Sequence, residues 1–191
     1  MLFVTCTPSI SGSAVRSDQS INDAWVLINQ LQTNKFSSSE AEIIDIETGD
    51  PLTHFYIPLF IGISQDGDGY PGDQILNGLT PLPSQLAIGA TWDPGVAEQV
   101  GFVAGNELSE LGINLLIGPA LDINEVPRPE GAGDLGVRTF GGDPFWVGEM
   151  GRAYINGVHM GSNNRIMVVS KNFPGLGSSD RLPINEVATV R

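Results

Sequence analysis

The sequence predicts an α/β fold of parallel strands alternating with helices, about half of an eight-stranded barrel. Three observations carry this. Short apolar runs rich in β-forming residues alternate with longer segments in which apolar residues recur at helical spacing. Two of the helical segments open on Asp-Pro, a start signal that joins a capping side chain to a proline at the first helical position. Each apolar run gives way to a loop crowded with glycine, proline and carboxylates, which is where such barrels present their chemistry. Strand, helix, strand, helix in this order implies right-handed crossovers and a parallel sheet, a partial TIM (β/α)8 barrel.

Residues 2–6 (LFVTC) read as the first buried strand, closed by the turn-prone Thr7, Pro8 and Ser9. From about residue 18 to 32, Ile21, Ala24, Trp25, Ile28 and Leu31 share one helix face, which is expected to cover a sheet. Residues 34–54 are polar and acidic and read as an insertion or linker, in which 42–46 form a small strand or an excursion from the main fold. Residues 55–63 (FYIPLFIGI) form the second strand, apolar almost throughout as strands buried on both faces are, although Pro58 donates nothing to a ladder.

Asp93 caps a helix with Pro94 at its first position, and Ala97, Val100, Val103, Ala104 and Leu108 continue its apolar face to a stop at Gly112. Residues 113–117 (INLLI) are the third strand, followed by a long loop over 125–142 that holds Pro127, Arg128, Pro129 and Arg138. Asp143 and Pro144 repeat the cap, Val147, Met150, Tyr154 and Val158 make the next apolar face, and 165–170 (RIMVVS) are the fourth strand. Both Asp-Pro pairs are followed seven residues after the proline by glycine, Gly101 and Gly151, a match confined to helix starts and therefore a tandem of β/α units, not a solenoid. Residues 182–191 begin another helix. A half barrel leaves two open parallel edges, so the sequence is expected to be a single incomplete barrel domain over 1–191, a piece of a longer protein whose missing half, or a second copy, closes the sheet.

Nine basic against 22 acidic residues give a formal charge of −13, which repels nucleic acid and anionic lipid and makes a polyanion-binding role unexpected. No run approaches the length of a membrane span, and residues 1–6 are too short for a signal-peptide core, which leaves the compartment, cytoplasmic or secreted, open. The one cysteine, Cys6, reads as a small buried strand residue, and no Cys/His spacing suggests a metal or cofactor. His54 and His159 read as structural or solvated. Taken as residues alone, Arg138 is a solvated loop charge or the partner of Asp134, Lys171 an ion-pair member at the mouth of the barrel, and Asp180 half of a surface pair with Arg181.

Five stretches in order also resemble one family. Residues 58–71 (PLFIGISQDGDGYP), 80–94 (TPLPSQLAIGATWDP), 107–124 (ELSELGINLLIGPALDIN), 137–144 (VRTFGGDP) and 171–177 (KNFPGLG) resemble the N-terminal barrel domain of glycoside hydrolase family 3, in its β-N-acetylhexosaminidase and β-glucosidase branches. The resemblance is strongest over 58–191 and places residues 1–6 as that family's second strand. It implies hydrolysis of O-glycosidic bonds at the nonreducing end of β-linked sugars, with no cofactor and a carbohydrate substrate. It further implies that Arg138 and Lys171 contact sugar hydroxyls, as a planar fork and a compact charge are suited to do.

The departures are as informative. Ser64 stands where the family has a sugar-binding Asp, and Asn172 and Leu176 where it has histidines. Asp66 either substitutes for the lost carboxylate or caps the glycine turn. The family's nucleophile is an Asp on a later strand, absent from this sequence, so the chain alone is expected to be inactive. Its acid in one branch is a His supported by an Asp on the loop after 171–177; Asp180 remains there without the histidine, and either holds a partner or acts as the acid itself. The alternative reading is a catalytically degenerate, carbohydrate-binding or structural relative. A phosphate-binding barrel has no support, because the glycines form neither GxGxxG nor a P-loop.

Overall fold

The computed structural model describes residues 21–40, 43–47, 49, 51–52, 56–69, 73–125, 136–172 and 175. The strand expected at residues 2–6, the helix expected from 182, and Cys6, His54, Asp134, Leu176, Asp180 and Arg181 lie outside these residues.

Helix α1 spans Ile21–Ser39 and so runs into the stretch read as polar linker. Its expected apolar face is only partly realised: Ile28 is buried, but Trp25 is 50% exposed. Besides Ile28 and Ile21, which join the core, the helix is docked through a polar group, since Gln32 donates from Nε2 to the Leu59 carbonyl (2.9 Å) and accepts at Oε1 from the Leu59 amide (3.0 Å). A two-residue antiparallel ladder follows, β1 (Ile43–Ile44) against β2 (Pro51–Leu52).

The main sheet has three parallel strands in the order β3 (Gly62–Ile63), β4 (Leu115–Ala120) and β5 (Met167–Lys171). The strand expected over 55–63 enters the ladder only at its end. Pro58 has no amide to give, and the backbone of Leu59 and Ile61 is paired by the side chains of Gln32 and Asn114, the latter donating to Leu59 O (2.9 Å) and accepting from Ile61 N (2.7 Å). Tyr56 and Ile57 accordingly stay exposed.

Helices α3 (Pro94–Glu110) and α4 (Pro144–Gly161) are the crossovers. Both open as the Asp-Pro signals predict: Asp93 Oδ1 accepts from Gly95 N (2.8 Å), and Asp143 Oδ1 from Trp146 N (3.0 Å). A short helix that the sequence did not suggest, α2 (Gln85–Gly89), precedes α3 and is capped by Ser84. The two long helices touch backbone to backbone. A Cβ on Gly101 or Gly105 would meet the Tyr154 or Val158 carbonyl oxygen at 2.1 and 2.3 Å, and one on Gly157 or Gly161 would meet that of Glu98 or Phe102 at 2.0 Å.

Because side chains alternate along a strand, the sheet has two faces. Ile61, Ile63, Leu116, Ile166 and Val168 pack with Ala97, Leu108, Val147, Met150, Tyr154 and Val158 of the helices. The other face carries Leu115, Ile117, Met167 and Val169, and Met167 and Val169 are about half exposed. Among the described residues, then, one apolar face of the sheet is covered by helices and the other is left partly open.

Candidate functional site

All three parallel strands end on the same edge, and Asp66, Asp68, Arg138 and Lys171 gather there. The first loop off that edge, after β3, is tied together by its own side chains. Asp73 accepts from the backbone amides of Asp66 (2.6 Å) and Gly67 (2.8 Å) at Oδ1 and of Gly69 (2.9 Å) at Oδ2. Ser64 and Gln74 exchange hydrogen bonds, with Ser64 N donating to Gln74 Oε1 and Gln74 N to Ser64 O, both at 3.2 Å. Gln65 pairs in the same way with the backbone of Ile75. A glycine-rich loop of this kind has little intrinsic preference for one shape, and these bonds supply it.

The loop thereby delivers Asp66 and Ser64 to Lys171, the last residue of β5. Lys171 Nζ donates to Ser64 Oγ (3.0 Å) and forms an ion pair with Asp66 Oδ2, the Asp66 side chain being 1% exposed. Asp66 Oδ1 is buried and has no hydrogen-bond partner among the described residues. The Asp66 side chain thus faces Lys171 and Ser64, while its backbone amide belongs to the Asp73 clamp.

Arg138 joins the group from the β4–α4 connection, with Nε 3.3 Å from Asp68 Oδ2. Asp68 is the partner the sequence did not indicate, because a carboxylate in a Gly-Asp-Gly run reads as a turn residue. Burial raises the Asp68 pKa above the ordinary carboxylate value; the Arg138 charge opposes the rise, and the charges of Asp66 and Asp73 add to it. The same fields reach Tyr154 on α4, whose hydroxyl is pushed up first by burial and then by Asp66 and Asp73.

Asn172 follows Lys171 with φ +58, a left-handed conformation that asparagine tolerates better than most residues. Gly175 has φ +113, a conformation that favours glycine, and a Cβ there would come within 2.6 Å of Asp122 Oδ1. His159 sits in the last turn of α4, at the opposite end of that helix from the strand ends. A cleft of about 230 Å³ lies between the first loop and α3, lined by Gln65, Asp73, Leu79, Thr80, Glu107 and Leu108 among others. None of Ser64, Asp66, Arg138, Lys171 and Asn172 lines it, so the charged group at the strand ends, and not this cleft, is the candidate site. Among the described residues no group of three or more His, Cys, Asp or Glu is arranged to hold a metal, and no helix is long and apolar enough to cross a membrane.

The glycosyl hydrolase family 3 N-terminal domain matches residues 27–190. The chain belongs to this family. Among its relatives, a β-hexosaminidase of Chromobacterium violaceum is 33% identical over 121 residues, 60% of this chain and 32% of that protein. A probable β-glucosidase K of Emericella nidulans is 26% identical over 144 residues, 74% of this chain and 16% of that protein. The solved structure of a glycoside hydrolase family 3 β-N-acetylglucosaminidase from Paenibacillus sp. str. FPU-7 matches with a TM-score of 0.66 at 26% identity, over 85% of this chain and 26% of that one. The family 3 chain thus spans about a third or less of these proteins. Its three parallel strands and their crossover helices are part of the family's barrel domain.

Proposed function

We propose that this family 3 chain forms the nonreducing-end sugar subsite of a β-glycosidase, of β-N-acetylhexosaminidase or β-glucosidase type. The observation that carries the reading is the position of Lys171, at the carboxyl end of a parallel strand, with its ammonium shared between Ser64 Oγ and the buried Asp66 carboxylate. A sugar ring presents adjacent hydroxyls that both donate and accept. A carboxylate and an ammonium side by side match such a pair, and Arg138 offers a donor fork beside them. In this reading Asp66 takes over the accepting role that the family gives to the residue at Ser64, while Asn172 supplies one donor and one acceptor.

Hydrolysis needs a second carboxyl-type group. The family's nucleophile belongs to a later strand, so turnover is proposed for a protein that continues through the second half of the barrel, with Asp180 as a candidate acid or its support. The partly open sheet face of Met167 and Val169 is the surface such strands would cover.

The test is equilibrium binding of N-acetylglucosamine and glucose to the chain, followed by turnover of chromogenic β-glycosides by the reading frame extended past Arg191. Binding that weakens about tenfold or more in Lys171→Ala, together with turnover only by the extended protein, is the expected result. Absence of binding to either sugar would overturn the subsite. Binding without turnover by the extended protein would favour a carbohydrate-binding relative instead.

A further inference from the structure

Resting on the reading above, in which Arg138 meets a sugar hydroxyl, we infer that Gln85 is a positioning residue of that subsite, acting through Arg138. Arg138 lies in no helix or strand, so nothing periodic sets its backbone. Its segment is held by side chains and single bonds instead. Leu86 N donates to Val137 O (3.0 Å) on one side of it, and Thr139 Oγ1 donates to Asp122 O (2.8 Å) on the other. Between them stands Gln85, the first residue of α2 and 3% exposed. With its amide oriented to satisfy both neighbours, Gln85 Nε2 donates to the Arg138 carbonyl oxygen (3.0 Å) and Oε1 accepts from the Ala120 amide (3.0 Å).

Ala120 is the last residue of β4 and is fully buried. One side chain therefore ties the end of the central strand to the main chain of the arginine. The residue type follows from the chemistry. A buried carbonyl needs a donor and a buried amide an acceptor, and a primary amide offers both from one planar group, which a carboxylate cannot. Removing it leaves two buried backbone groups unpaired and frees the backbone from which Arg138 reaches Asp68. The five-residue helix α2 thus has a role toward the site although none of its residues bears a charge.

The experiment measures Kd for N-acetylglucosamine and glucose in the wild type, Gln85→Ala, Arg138→Ala and the double variant, alongside ¹⁵N relaxation at Arg138 Nε. Gln85→Ala is expected to raise Kd about five- to tenfold and to loosen the guanidinium, with the double variant no weaker than Arg138→Ala alone, because the effect passes through that side chain. Gln85→Glu, which retains the acceptor for Ala120 and loses the donor to Arg138, is expected to fall between wild type and Gln85→Ala, and it carries the test if the alanine variant does not fold. Additive losses in the double variant, or an Arg138 guanidinium as rigid in both Gln85 variants as in wild type, would overturn the inference. If Arg138→Ala binds both sugars as wild type does, the subsite reading fails and this inference with it. If Arg138→Ala weakens binding and the Gln85 variants do not, only the role of Gln85 is lost.

Discussion

Lys171 and Asp66 stand 105 residues apart in the chain and form an ion pair at the carboxyl edge of the sheet, with the carboxylate almost wholly buried. Such a pair contributes little over an apolar replacement, yet losing one partner strands a buried charge. Lys171→Met is therefore expected to lower the unfolding free energy by about 3 kcal/mol, and adding Asp66→Asn to recover a large part of it. Urea denaturation of the two single variants and the double variant measures this. Simple additivity would show that the two charges are not coupled.

Asp73 organises the first loop by accepting from three backbone amides. Asp73→Ala should cost about 2–3 kcal/mol and should act locally. Hydrogen exchange at the amides of Asp66, Gly67 and Gly69 is expected to accelerate, while amides in the middle of α3 and α4 keep their protection relative to global unfolding. Unchanged protection in the loop would mean that something else shapes it.

Asp68 sets a pH dependence. Its folded-state pKa is raised, chiefly by burial, so the folded protein holds this proton more tightly than the unfolded chain. Its contribution to stability is then greatest below the unfolded value of about 3.9 and declines as the pH climbs to the folded value. The stability difference between wild type and Asp68→Asn should fall with rising pH across that window and level off above it. The reverse slope would mean that Arg138, not burial, dominates this carboxyl group.

Two glycines in α4 should respond oppositely to alanine. At Gly157 a new Cβ would lie 2.0 Å from the Glu98 carbonyl, forcing the helices apart, at a cost of about 3 kcal/mol or more. At the exposed Gly148 nothing lies within 4 Å, and alanine should stabilise by about 0.5–1 kcal/mol by restricting the unfolded chain. Thermal melts of the two variants give the comparison, and equal destabilisation would contradict the close helix crossing.

The parts of the fold legible in the sequence are those made by neighbours in the chain. The caps of α3 and α4 were readable because Asp93 and Asp143 bond within their own first turns. The buried face of α4 at Val147, Met150, Tyr154 and Val158 was equally readable from its spacing. The second strand was overestimated because its apolar residues signal burial but not ladder pairing. Its backbone at Leu59 and Ile61 is bound by the side-chain amides of Gln32 and Asn114, whose polarity gives no hint of that use. The helix α2 was missed because one turn and a half is too short to display a period.

For the site, the sequence by itself determined which residues stand at the strand ends: Ser64, Asp66, Lys171 and Asn172 follow apolar runs, and strand direction fixes the edge on which they emerge. Only the tertiary structure decided who meets whom. Lys171 takes Asp66 and Ser64, Arg138 takes Asp68, and Gln85 joins Arg138 to β4. The reason is physical. Periodicity and caps arise from interactions within a turn or two of chain, whereas the energies of ion pairs and buried hydrogen bonds depend on distances and burial created when remote segments pack together.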